Sequence, residues 1–200
     1  MKITNHRLTD DSGTPVDFVQ TPNHSGTTKP LLLIIHYTAG ISRDAAISWF
    51  QNPQAKASAH LIIDRDGTVV QMADFNVKTW HAGVSRWGTL EGLNRYSIGI
   101  ELVNAGRLIK AGAEWKTWYE AIIPTDQVVE AIHKNESQSA GWHLYTNAQI
   151  EKAIEVGLAL NQEYQFEDIL GHDDIAPIRK SDPGPAFPLV SFSSKVLGRR

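Results

Sequence analysis

LLLIIHYTAG, Leu31–Gly40, begins with a continuous apolar run and ends on a histidine, an aromatic and a glycine. An apolar run of strand length with no polar residue inside it is the form taken by a strand buried on both faces. His36 sits at the end of that strand. Upstream, residues 1–30 are rich in Asp, Thr, Asn, Pro and Gly and read as an irregular arm ending at Pro30.

Downstream, Ser42 is placed to cap a short helix over Arg43–Phe50, with Ala46, Ile47 and Phe50 on one side. His60–Met72 reads as two strands joined by a tight turn at Arg65-Asp66-Gly67. In Ser97–Val103, Ile98, Ile100 and Leu102 alternate with Ser97, Gly99 and Glu101, so Glu101 faces away from its apolar neighbours. Gly106–Thr125, with Trp115, Trp118 and Tyr119, reads as a long loop with a short helix, and Asp126–Lys134 as one or two helical turns. Asn147 is placed to cap a helix to about Tyr164, where Ile150, Ala153, Ile154, Gly157 and Leu158 recur at helical spacing. Strands interleaved with amphipathic helices predict an α/β domain with one mixed central sheet flanked by helices.

A chain of 200 residues with 42% hydrophobic content and no repeat suits one globular domain over 31–188, the arm before it and a tail over 189–200 after it. A net charge of -3 argues against binding nucleic acid or an anionic membrane mainly by charge. Cysteine is absent, which excludes disulfides and leaves His, Asp and Glu as the ligands for any transition metal. The polar opening MKITNHRLTDDSGTPVDF carries no signal-peptide pattern, and Leu31–Ile35 is too short to span a bilayer. The expectation is a cytoplasmic monomer without integral membrane association; the alternative is a protein released to its site of action when the membrane is breached.

GHDDIAPIRKSDPGPAF, Gly171–Phe187, holds a histidine, three aspartates, two adjacent bases and three prolines. The prolines remove backbone donors and Gly184 permits a sharp change of direction, so something other than a hydrogen-bonded ladder must hold the segment. His172 and Asp182, ten positions apart, could fold onto one ion, with His36 as third ligand and a fourth position left for water. Spacing alone does not separate this from hydrogen-bonded loop and core histidines, nor Asp182 from Asp173 and Asp174.

HYTAG (His36–Gly40), SAHLIIDRDGTVVQ (Ser58–Gln71), WHAG (Trp80–Gly83), NRYSIGIELVNAG (Asn94–Gly106), and GHDDIAP with RKSDPGPAF (Gly171–Phe187) occur in that order. Together they resemble the zinc-dependent N-acetylmuramoyl-L-alanine amidases of the type 2 family, which share a fold with the peptidoglycan recognition proteins. The resemblance implies one Zn2+ per chain on His36, His172 and Asp182, with Glu101 and Lys180 as the catalytic pair. It implies a peptidoglycan or muropeptide substrate, cleaved between N-acetylmuramic acid and L-alanine. Tyr37, His60, Trp80, His81 and Asn94 fall in segments that resemble the family's cleft and are candidates to bind substrate. The aromatic segment from Gly106 to about Tyr145 is a candidate flap over that cleft, and His6, His24, His133 and His143 lie outside the matched motifs.

Alternatives stand beside these roles. Glu101 reads equally as a surface carboxylate on an edge strand. Lys180 with Arg179 reads as a solvated pair balancing the aspartates. A noncatalytic muropeptide-binding module would keep the fold and lose turnover. A metal peptidase or deacetylase of another fold is the third reading, and the chain has no HExxH.

Overall fold

The computed structural model, which describes residues 1–199, places Leu32–Tyr37 inside a six-stranded mixed sheet. The strand order is Asp168–Gly171, Leu32–Tyr37, Ser97–Leu102, Leu61–Ile63, Val69–Gln71, Asp17–Phe18. The first four strands in that order are mutually parallel, and the expected hairpin supplies the antiparallel pair.

Both faces of the parallel strands are covered. Leu33 and Ile35 pack with Ala153, Val156 and Leu160 of helix Asn147–Tyr164 and with Phe192 of helix Leu189–Leu197. On the opposite face Leu32 and Ile34 meet Ala82, Leu93 and Ile175, while helix Arg43–Gln51 covers Ile62 and Val70 through Ala46 and Phe50. Leu32, Leu33, Ile34 and Ile35 are each no more than 1% exposed. Burying each contributes roughly 1.5–3 kcal/mol, and a slip of one residue would carry His36 to the opposite face. The apolar run therefore fixes where the histidine points.

The N-terminal arm is not irregular. Lys2–Thr4 pairs with Arg7–Thr9, Asp17–Phe18 joins the sheet edge, and His24–Thr27 pairs with Val77–Thr79. These strands are two to four residues long, too short for alternation to announce them. Residues 189–197 of the expected tail form a helix whose Phe192 and Val196 pack on Gly157, where an added Cβ would come within 2.8 Å of Val196.

The segment after Gly106 departs most from expectation. Arg107–Ala111, Glu114–Lys116, Ile122–Ile123, Val128–Ile132 and Ser139–His143 form a second, antiparallel five-stranded sheet. The helical turns expected over Asp126–Lys134 reduce to a 3-10 turn at Thr125–Gln127, because Val128–Ile132 bonds along its length to Ser139–His143. Helix Asn147–Tyr164 is capped by Thr146 rather than Asn147: the Thr146 hydroxyl accepts the Gln149 N–H at 3.1 Å and donates to the Arg65 carbonyl. A distant carbonyl thus chooses between two adjacent cap formers. Ser42 caps Arg43–Gln51 as expected, accepting the Ala45 N–H at 3.2 Å. No helix of the described residues is long and apolar enough to cross a membrane.

Candidate metal centre

Three neighbouring parallel strands deliver their carboxyl ends to one place, where clefts form in α/β sheets. His36 is paired in register with Glu101, and Gly171, just before His172, is paired with Ile35. Asp182 comes back to the same point on the proline-rich loop, whose end is tied down by the Asp173 N–H donating to the Asp182 carbonyl at 2.8 Å.

His36 Nδ1 lies 3.0 Å from His172 Nδ1 and 2.9 Å from Asp182 Oδ2, and His172 Nδ1 lies 3.0 Å from that oxygen. All three residues are buried, and among the described residues they are the one group of histidine and carboxylate ligand atoms gathered closely enough to hold a metal ion. Hydrogen bonding alone does not account for the triangle. His172 Nε2 faces the Ala82 carbonyl at 3.2 Å, and a carbonyl only accepts, so Nε2 carries the hydrogen. The Arg179 Nη2 group, 3.5 Å from Nε2, gives its two hydrogens to the carbonyls of Ala82 and Val84 at 3.0 and 2.8 Å. In a neutral His172 ring Nδ1 is then a bare lone pair turned toward a carboxylate oxygen.

A cation between them resolves that conflict. Zinc ligands at about 2.0–2.2 Å stand roughly 3.3 Å apart in a tetrahedron, close to the observed edges. A ligating histidine that gives its other N–H to a backbone carbonyl is the usual supporting arrangement. Two histidines and an aspartate therefore fit a zinc-like ion.

The electrostatics agree. Burial, and then His172, lower His36 to a pKa of about 4, so its ring is neutral at pH 7. Burial works to raise the Asp182 carboxyl, but hydrogens and positive charge on the two imidazoles, the part a cation would take with both rings neutral, hold it well below the usual carboxylate range. Glu101 behaves oppositely: burial first and the Asp182 charge second push it well up, against the pull of Lys180. Its Oε2 is buried and has no hydrogen-bond partner.

These residues line a cleft of about 820 Å³ that also takes in Lys180, Tyr37, Trp80 and His81. Tyr37 is raised to about 12 by burial, against its hydroxyl contact with Ser181 Oγ at 2.8 Å. Trp80 donates from its indole to Ser25 Oγ at 3.0 Å.

His60 and Asn94 are not brought to the cleft. His60 is wholly buried: its Nδ1 accepts the Gly99 N–H at 3.0 Å and its Nε2 meets the Val77 carbonyl at 2.8 Å. Asn94 accepts the N–H groups of His81 and Ala82 at 3.0 and 2.6 Å, holding the Trp80–Gly83 turn. Both are framework residues within motifs that also carry cleft residues, which is why the motifs alone did not separate them.

The cleft also contains an aromatic residue that sequence reasoning passed over. Trp49, from helix Arg43–Gln51, is 54% exposed at its wall, and an exposed tryptophan on an otherwise amphipathic helix was the available signal. Trp118 and Tyr119, from the expected flap and lying in the turn between Glu114–Lys116 and Ile122–Ile123, reach the same wall, with the Trp118 indole donating to the Ala39 carbonyl at 2.9 Å. The expected flap is thus a sheet that contributes one tip to the cleft.

Over residues 26–185 the sequence matches the family described as N-acetylmuramoyl-L-alanine amidase. The chain belongs to the type 2 N-acetylmuramoyl-L-alanine amidase family. Among its amidase relatives, the 1,6-anhydro-N-acetylmuramyl-L-alanine amidase AmpD of Enterobacter cloacae is 32% identical over 187 residues, covering 84% of this chain and 81% of the relative. The crystal structure of an Se-Met AmpD derivative superposes with a TM-score of 0.69 at 26% identity, covering 98% of this chain and 99% of that one. The amidase AmiD from E. coli, in complex with the substrate anhydro-N-acetylmuramic acid-L-Ala-D-gamma-Glu-L-Lys, gives 0.64 at 26% identity, covering 86% of this chain and 59% of that one.

Proposed function

We propose that this amidase is a zinc enzyme that hydrolyses the amide between the lactyl carbonyl of N-acetylmuramic acid and the amino group of L-alanine in soluble muropeptides. The observation that carries the reading is the triangle of His36, His172 and Asp182, with the unpartnered carboxylate oxygen of Glu101 on the adjoining strand. The substrate class is supported by the AmpD relatives, whose name specifies a 1,6-anhydro sugar, and by the anhydro-muropeptide bound to AmiD.

When bound, zinc supplies Lewis acidity, polarising a carbonyl oxygen and making water a usable nucleophile near pH 7. Glu101 then acts as the proton carrier. Its raised pKa suits a group that must accept a proton from water and return it at neutral pH. The proton passes to the alanine nitrogen as the C–N bond breaks, leaving a lactyl carboxylate and a free amino terminus. Lys180, on the Asp182 loop at the cleft, offsets negative charge growing on the scissile oxygen. The aromatic wall of Trp49, Trp80 and Trp118 limits water access and offers apolar faces to the sugar.

The test is elemental zinc content with release of amino-terminal L-alanine from purified anhydro-muropeptides, on the intact protein and on Asp182→Ala. One zinc per chain with turnover, both lost in the variant, is expected. Binding of muropeptide with no turnover after zinc is added back would overturn the enzyme reading in favour of a recognition module.

A further inference from the structure

His81, placed by sequence among the substrate contacts, has a different set of neighbours. Its ring lies flat against the Glu101 strand at Gly99, where a Cβ would come 2.5 Å from His81 Cγ. Its Nδ1 stands 3.0 Å from His36 Nε2 and its Nε2 stands 3.2 Å from Ser97 Oγ, so it spans from a proposed metal ligand to the start of the strand. His81 is only 8% exposed.

One fixed acceptor sets the direction of this chain. Ser97 Oγ lies 2.7 Å from the Leu93 carbonyl, which has no hydrogen to give, so the single hydroxyl hydrogen of Ser97 points there. Ser97 Oγ must then accept, and the hydrogen between it and His81 belongs to His81 Nε2. A neutral imidazole carries one N–H, which leaves His81 Nδ1 bare and obliges it to accept from His36 Nε2. His36 therefore presents a bare Nδ1 to the triangle. The same result reaches His172 by a shorter route, through the Ala82 carbonyl.

We propose that His81 is a positioning residue: through Ser97 and the Leu93 carbonyl it fixes the His36 tautomer so that Nδ1 is available to the ion. The inference rests on the metal-centre reading above. It makes Ser97, with no contact to the ion, a determinant of metal affinity, and it gives the Gly99 position a purpose, because any side chain there would displace the relay.

The direct test is the long-range 1H–15N spectrum of protein labelled at histidine, recorded with zinc bound and after its removal. His81 should show a protonated Nε2 and an unprotonated Nδ1 in both; a protonated Nδ1 would overturn the proposal. Affinity is measured separately by competition with a zinc chelator. His81→Ala should weaken zinc binding roughly ten- to a hundred-fold. His81→Asn, whose Oδ1 can stand where Nδ1 stood and only its oxygen can face His36 usefully, should recover most of that loss. Ser97→Ala should lose less and show both His81 tautomers. Equal affinity in His81→Ala and the parent would also sink the idea. A folded protein that takes up no zinc would refute the metal reading instead, while the metal-free spectrum still decides the tautomer.

Discussion

Two histidine–aspartate pairs of the same length flank the loop that begins at His172. His36 Nδ1 and Asp182 Oδ2 are 2.9 Å apart, and so are His133 Nε2 and Asp173 Oδ2. In the second pair the histidine hydrogens are accounted for. His133 Nδ1 accepts the Asn135 N–H at 3.2 Å, so Nε2 donates to Asp173. Lys134 reaches Asp173 and Asp174 at 2.8 and 2.6 Å, Asn135 donates to the Asp173 carbonyl, and the imidazole stacks on Trp142. Around the first pair, with His36 and His172 both neutral, the hydrogens run out and two bare nitrogens turn to one carboxylate. Residue types do not distinguish a candidate metal centre from a structural clasp; where the imidazole hydrogens go does.

The largest expected effect breaks that comparison at its centre. Asp182→Ala should reduce zinc from one per chain to none and abolish alanine release, whereas Asp173→Asn should retain the ion; equal zinc loss in both would erase the distinction. Next, Glu101→Gln should keep its zinc while kcat falls about 10²- to 10⁴-fold. The same variant should be more stable than the parent at neutral pH in metal-free form. A carboxyl whose folded pKa is raised contributes stability below its unfolded pKa and loses it as pH rises through the folded value. Urea unfolding at pH 5 and pH 7.5 should show that advantage growing with pH.

A smaller effect belongs to the fully bonded histidines. Burial lowers His60 to about 4, so the unfolded chain binds a proton that the folded chain refuses. Stability of the metal-free protein should fall as pH drops from about 6.5 toward 4, by about 3 kcal/mol from this residue. A flat profile over that window would show that His60 is not held neutral. Smallest, Asp173→Asn should cost about 1–3 kcal/mol of unfolding free energy through weakened bonds to His133 and Lys134. Metal affinity should change little, and a large change would mean that the clasp and the centre act as one unit.

How far the sequence could be read follows from what each segment buries. Leu32–Ile35 and Ser97–Leu102 are inside on both sides; an uninterrupted apolar run announces that for the first, while alternation announces the second as a strand without showing that Ser97 and Glu101 are buried too. The second sheet could not be read this way. In Arg107–Ala111 only Leu108 is buried, and in Val128–Ile132 no residue is, so their order comes from cross-strand pairing rather than from an apolar pattern within each strand. The metal triangle was legible as motifs but not as geometry. His81 shows the limit: its motif pointed to the cleft, while its role turns on the hydroxyl of Ser97 and the missing side chain of Gly99, two features that carry no signal of their own.

The parallel register that joins Ile35 to Gly171 has a kinetic consequence. His36 and His172 are 136 residues apart in the chain, and closing so long a loop is slow and entropically costly. Any ion held by His36, His172 and Asp182 would find its three ligands together only once Asp168–Gly171 has docked on Leu32–Tyr37. Interactions absent from the transition state slow unfolding rather than hasten folding. An ion held there would serve as a latch between the first and last parts of the chain, and stripping it should shorten the lifetime of the native protein more than it delays refolding.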